Sequence, residues 1–149
     1  MATFRPDLLI ENSDGQPIAI IEVKNLQNMT RDEAIEIRRS MLDYGLPLHL
    51  PYFLLLSQDV GFLWKGTKQE NLNAAPTYEF PMDKVVTRYS NNGSEKRLYS
   101  SVLELVVLQW LTNLSTKQQE ATEEPEKTLA LAGFNDSIKG AMVLIEQQL

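Results

Sequence analysis

The chain predicts an α/β fold, a mixed central sheet of about four strands flanked by helices. Three observations carry that expectation: two aliphatic runs joined by a polar turn near the N-terminus, a helix signature directly after them, and a second helix-length apolar stripe beyond residue 97. Its 149 residues fit one domain, long enough to bury roughly two thirds of the surface its unfolded form exposes. Residues 1–117 are expected to hold the main domain and 118–128 a charged linker. Residues 129–149 are expected to form a helical segment that packs on the same domain or on a partner.

Asp7 to Glu11 and Pro17 to Lys24 are the two aliphatic runs. The intervening Asn12-Ser13-Asp14-Gly15-Gln16 contains the Asp-Gly step that a tight reversal needs, so the pair reads as a β-hairpin. The second arm, Ile18-Ala19-Ile20-Ile21, is apolar on both faces, as a strand inside a sheet should be. Charges then appear at Glu22 and Lys24, two residues apart and therefore on one face of the strand. Thr30-Arg31-Asp32-Glu33 has the form of a capping box, and Ala34, Ile37, Met41 and Tyr44 follow at helical spacing before Gly45, predicting a helix over 30–44. Pro51 to Leu56 and Gly61 to Trp64 predict a third and a fourth strand. Residues 65–96 contain Pro76, Pro81 and an Asn91-Asn92-Gly93 turn, and read as a long connection with little regular structure. From Tyr99 the apolar positions 99, 102, 103, 106, 107, 110, 111 and 114 predict an amphipathic helix, and Asp136 to Gln148 a last short one.

Composition narrows the chemistry. The absence of cysteine excludes disulfides and thiolate metal sites, and a single histidine, His49, excludes an imidazole cluster. A bound metal must then rest on carboxylate and carbonyl oxygen, which suits magnesium or manganese. The N-terminus carries no export signal, and no run approaches the about 20 apolar residues of a membrane span, so a cytoplasmic protein with no membrane partner is expected. A net charge of −6 argues against coating nucleic acid by electrostatics alone, because phosphate neutralisation needs clustered Lys and Arg.

The order Pro6-Asp7, hairpin turn, then Glu22-Val23-Lys24 at the polar end of an apolar strand resembles the PD-(D/E)XK nuclease superfamily. It is similar to the N-terminal nuclease segments of type I restriction subunits and to small cyanobacterial and phage proteins of that style. The likeness covers roughly residues 4–64 and includes Arg5-Pro6-Asp7-Leu8-Leu9-Ile10, the run from Ile18 to Asn25, and a helix leading into Tyr44-Gly45-Leu46-Pro47. It implies a restriction endonuclease-like sheet, with Asp7, Glu22 and Lys24 as catalytic residues. Many members set a helix and a strand ahead of the Pro-Asp strand, the helix bearing a further glutamate; only Met1 to Phe4 precede the motif here. The sheet is therefore expected to expose an edge or a face that a homodimer, a higher homo-oligomer or a hetero-subunit partner covers.

Phosphodiester hydrolysis requires hard oxygen ligands on rigid elements. Asp7 and Glu22 on neighbouring strands are expected to supply two and the Val23 carbonyl a third, with Mg2+ or Mn2+ as cofactor. Lys24 beside them is expected to hold the attacking water and offset charge on the phosphorane. Arg38 and Arg39 on the following helix are candidate phosphate contacts, and Ser40 stands where some members carry the Gln of a Gln-x-x-x-Tyr step. Two functions follow: a metal-dependent endonuclease with DNA as its partner, or an interaction subunit of the same fold without turnover.

Overall fold

A computed structural model describes residues 4–66, 71–90, 98–117 and 121–145. The hairpin forms as expected, from β1 (Leu8–Glu11) and β2 (Pro17–Val23), antiparallel, with a register shift at Ile10/Glu11. Its turn is closed by the Asn12 side chain, whose Oδ1 accepts from the Asp14 and Gln16 N–H groups, both at 2.9 Å. Gly15 there takes the positive φ of +79° that a side chain would resist.

Helix α1 (Arg31–Asp43) begins on the anticipated capping box: Thr30 Oγ1 accepts from the Glu33 N–H at 3.1 Å, and the Glu33 carboxylate accepts from the Thr30 N–H at 3.0 Å. Its buried residues are Ala34, Arg38 and Met41, while Tyr44 stands 72% exposed beyond the helix end. The helix returns the chain to β3 (Tyr52–Leu56), which pairs parallel with β2, and β4 (Val60–Lys65) folds back on β3.

The sheet has six strands rather than about four, in the order β5-β4-β3-β2-β1-β6. The two extra strands are the edges. β5 (Tyr78–Pro81) and helix α2 (Asp83–Tyr89) lie inside the stretch expected to lack regular structure. Pro76 and Pro81 had suggested a loop, yet an edge strand tolerates proline because one row of its N–H groups faces away from the sheet. The Asn91-Asn92-Gly93 turn lies outside the described residues.

The long helix α3 (Ser100–Thr116) buries Leu103, Val106, Val107, Trp110 and Leu111, whereas Tyr99 and Val102 at the start of the anticipated stripe are exposed. Within the anticipated linker, α4 (Glu126–Leu131) has already begun, and Glu124 binds the Thr128 hydroxyl and N–H; residues 118–120 fall outside the description. After α5 (Phe134–Ser137), the segment expected to be a terminal helix becomes β6 (Met142–Ile145), antiparallel to β1. The spacing of Ile138, Met142 and Ile145 is helical, but the open edge of β1 recruits the aliphatic run as a strand.

Alternation along the strands divides the core. Leu8, Ile10, Ile21, Leu54 and Leu63 face α2 to α5, and Leu9, Ile20, Phe53, Leu55, Phe62 and Trp64 face α1. This is a sheet covered on both sides. Among the described residues no helix is long and apolar enough to cross a membrane.

Candidate active site

The register of the hairpin builds the site. Leu8 lies opposite Ile21 and Leu9 opposite Ile20, so the next residues outward, Asp7 and Glu22, stand across from each other where the two strands meet solvent. Asp7 is half-buried behind a buried Pro6, and Glu22 is only 5% exposed. The Asp7 carboxylate accepts from the Val23 N–H at 2.8 Å, which fixes it against the end of β2. Within a strand the N–H and C=O of a residue leave on the same edge, so the Val23 carbonyl also points to the Asp7 side. Lys24 follows on the face of Glu22, half-buried, its own N–H held by the Leu56 carbonyl at 2.8 Å.

The electrostatics of this pair are unusual. Burial first, then the hydrogen bond to Asp7 and its charge, push the Glu22 carboxyl from 4.5 up to about 9, while the Lys24 ammonium pulls in the opposite direction. Two carboxyls side by side in a poorly solvated place retain a proton between them unless a cation replaces it. The donor set of two carboxylates and a strand carbonyl is hard oxygen throughout and fits magnesium or manganese. Among the described residues no three His, Cys, Asp or Glu side chains converge, so the carbonyl is needed to complete even a minimal protein share of such a site.

Several residues around the pair carried no signal in the sequence. Asn25 donates to the Leu98 carbonyl at 3.0 Å and Gln58 accepts from the Leu98 N–H at 2.9 Å, so the residue after Lys24 and the turn after β3 together hold the approach to α3. Asp59 accepts from the Asn28 N–H and the Ser57 hydroxyl, tying the β3–β4 turn to the segment before α1. Glu104 of α3 shares with Asp7 the wall of a cavity of about 230 Å3, otherwise formed by Ser101, Leu8, Leu105, Leu108 and Ile145. Apart from the local Ser57–Asp59 bond, these contacts join segments far apart in the chain, and no local spacing announces them.

The helix residues separate. Arg38 is 1% exposed, with its guanidinium 5.5 Å from the Trp64 ring centroid and Nη1 donating to the Asn71 carbonyl at 3.0 Å. Arg39 and Ser40 are exposed on α1, and His49 is exposed in the following loop. Arg88 is committed to a bidentate pair with Glu126 at 2.8 and 3.0 Å, in the wall of a larger cavity of about 330 Å3 between α2, α3 and α4. The Trp110 Nε1–H and Asn113 Nδ2 in that wall are also satisfied, by Glu126 and Tyr89, whereas the buried Oδ1 of Asn135, in the same wall, has no hydrogen-bond partner among the described residues. The chain matches no protein-family model, and no curated protein or solved structure matches it.

Proposed function

We propose that the chain is a divalent-metal-dependent endonuclease that hydrolyses phosphodiester bonds in DNA, with Asp7, Glu22 and Lys24 as its catalytic set. The observation that carries this reading is the cross-strand Asp7–Glu22 carboxyl pair, buried and short of positive charge, with Lys24 on the same face. Catalytic groups are where burial and like charges are arranged to shift titration, and that is the pattern at this strand end.

Asp7, Glu22 and the Val23 carbonyl are the residues to hold magnesium or manganese. When bound, such an ion would neutralise phosphate charge and acidify a water. Lys24 donates hydrogen bonds from Nζ to the attacking water and to the non-bridging phosphate oxygen, and its charge favours the more negative transition state over the ground state. Arg39 and Ser40 are exposed on α1 and accessible to the DNA backbone; Arg38 is taken up by Trp64 and Asn71. The fold supports the reading in one further respect. The helix and strand that many members of the resembled superfamily place ahead of the Pro-Asp strand have counterparts in α3, with Glu104 near Asp7, and in β6 beside β1.

A non-catalytic subunit of the same fold is the second reading, and the net charge of −6 favours it. Nicking of supercoiled plasmid and of short branched DNA, with magnesium or manganese against EDTA, separates the two. The enzyme reading expects metal-dependent cutting by the wild type and a loss of about two to three orders of magnitude in Lys24→Ala. Lys24→Ala should bind manganese as the wild type does. Equal cutting by the variant would remove Lys24 from the site, and no cutting of any substrate by the wild type would leave the subunit reading.

A further inference from the structure

Beyond β2 the chain is held by side chains rather than by a strand ladder. Lys24 donates its N–H to the Leu56 carbonyl at 2.8 Å, which extends the pairing of β2 with β3 past Val23. At Asn25 a side chain takes over, Nδ2 donating to the Leu98 carbonyl at 3.0 Å. The N–H of the same Leu98 donates to Gln58 Oε1 at 2.9 Å. Gln58 follows Leu56 in the turn after β3, so these hydrogen bonds close a ring from Lys24 through Leu56, Gln58, Leu98 and Asn25 back to Lys24. The far side of the ring is dry: Leu98 is 3% exposed and Gln58 7%. A further anchor follows at Asn28, which takes a φ of +55° and donates its N–H to Asp59 of the same turn at 2.9 Å.

We propose that Asn25 and Gln58 are positioning residues for Lys24: through Leu98 they fix the backbone from which the Lys24 side chain reaches the reacting phosphate. This rests on the reading of Lys24 as the donor to the attacking water. A lysine stem is long and flexible, so any drift of its Cα adds to the uncertainty in where Nζ stands. The Leu56 bond holds the N–H side of Lys24, and the Asn25 bond to Leu98 holds the residue on its other side. Gln58 in turn holds Leu98 to the strand that Lys24 already pairs with, so the two anchors cannot move independently. Docking of α3 does not require this ring, because Leu103, Val106, Val107, Trp110 and Leu111 already bury that helix against the sheet. What the ring adds is precision at Lys24. A catalytic group displaced by about 1 Å can lose about a hundredfold in rate, so such precision is worth a buried amide.

Steady-state nicking of supercoiled plasmid by the intact chain, with saturating manganese, tests this. Asn25→Ala, at a half-buried loop position, and Gln58→Leu, of similar size but without an acceptor, should each lower kcat about ten- to a hundredfold, with KM and manganese affinity as in the wild type. Gln58→Glu keeps an oxygen for the Leu98 N–H and should retain most of the rate. Because both residues act through Leu98, the two substitutions together should cost little more than the worse of them alone. Because they act through Lys24, Asn25→Ala should bring no further loss in Lys24→Ala. Amide exchange at Lys24 should quicken in Asn25→Ala, a readout that needs no substrate. If the Gln58 variants fail to fold, the cycle between Asn25 and Lys24 decides alone. A wild type that cuts while Asn25→Ala cuts equally well, or a loss in Asn25→Ala that recurs in full without Lys24, overturns the positioning role and leaves the endonuclease reading standing. Unchanged exchange at Lys24 overturns it equally, and a wild type that cuts nothing overturns both.

Discussion

Two glutamates withdrawn from water meet opposite fates. Glu126 lies between Arg88, which binds it through both guanidinium nitrogens, and the Trp110 Nε1–H at 2.9 Å. Burial works to raise its pKa, yet the hydrogen bonds from Arg88 and Trp110 outweigh burial and hold it below the ordinary value. Glu22 is more deeply buried and is hydrogen-bonded to the carboxyl of Asp7, and its pKa is driven up to about 9. At Glu126 a guanidinium bound through both nitrogens supplies the balancing charge; at Glu22 the Lys24 ammonium works in the same direction but is outweighed by burial and by the Asp7 carboxyl.

The largest effect that would sharpen this contrast is on folding at the satisfied glutamate. Glu126→Ala strips the bidentate partner from Arg88 and the acceptor from Trp110, leaving a charge and an indole N–H without their main partners. Hydrogen bonds to charged groups contribute about 1.5–3 kcal/mol each, so a loss of about 2–4 kcal/mol is expected in denaturant unfolding. Glu22→Ala has no such partner to strand, and should cost the fold less than Glu126→Ala at pH 7. A reversed order would show that the Asp7–Glu22 pair stabilises the hairpin and is not held in wait for a cation.

A second contrast lies in packing. Gly61 of β4 faces the Phe80 ring of β5 and the Leu56 side chain so closely that a Cβ would collide with both. Gly61→Ala should therefore cost about 1–3 kcal/mol by overpacking. Gly140, at φ +71° with open space around it, should lose less on substitution, the strain of its backbone alone. Thermal melts of the two variants give the comparison.

Local signals and long-range ones divided what the sequence could reveal. Thr30 and Glu33 bind each other's backbone three residues apart, and Asn12 closes its own turn, so α1 and the first hairpin were legible from neighbours. That Asp7 and Glu22 lie on neighbouring strands was legible too, but their direct facing was not: counting outward from Glu11 opposite Pro17 would set Asp7 against Ile21, and only the register shift at Ile10/Glu11 brings Glu22 across from it. Met142 to Ile145 was misread because Ile138, Met142 and Ile145 recur at helical spacing, whereas the demand for a strand comes from the free edge of β1, some 130 residues earlier in the chain. Arg38 looked like a surface cation for the same reason: nothing near it in sequence announces Trp64 and Asn71. The prolines of residues 65–96 disguised β5, since they are forbidden inside a sheet and permitted at its rim.

The effect that most directly breaks or sustains the comparison of the two glutamates is in how stability follows pH. In the unfolded chain Glu22 ionises near 4.5; in the folded protein without metal it keeps its proton to about 9. Between those values the folded state binds one more proton than the unfolded state, so stability must fall as pH rises. That contribution is complete below pH 4.5, declines through the window, and is gone above about 9, at a slope of at most about 1.4 kcal/mol per pH unit. Glu126 has the opposite sign and a different window. Its pKa is lowered, so its contribution is present above 4.5 and is lost only as pH falls through the lowered value. Denaturant unfolding at pH 6, 7 and 8 should therefore show wild type losing stability relative to Glu22→Gln, whose amide cannot titrate, while Glu126→Gln runs parallel to wild type over the same range. Saturating manganese should flatten the wild-type slope, because the ion displaces the shared proton, and its affinity should rise up to tenfold per pH unit as that proton becomes easier to remove. If Glu22→Gln and wild type run parallel from pH 6 to 8, Glu22 titrates alike in the folded and unfolded states, and the shared proton at the strand end does not exist.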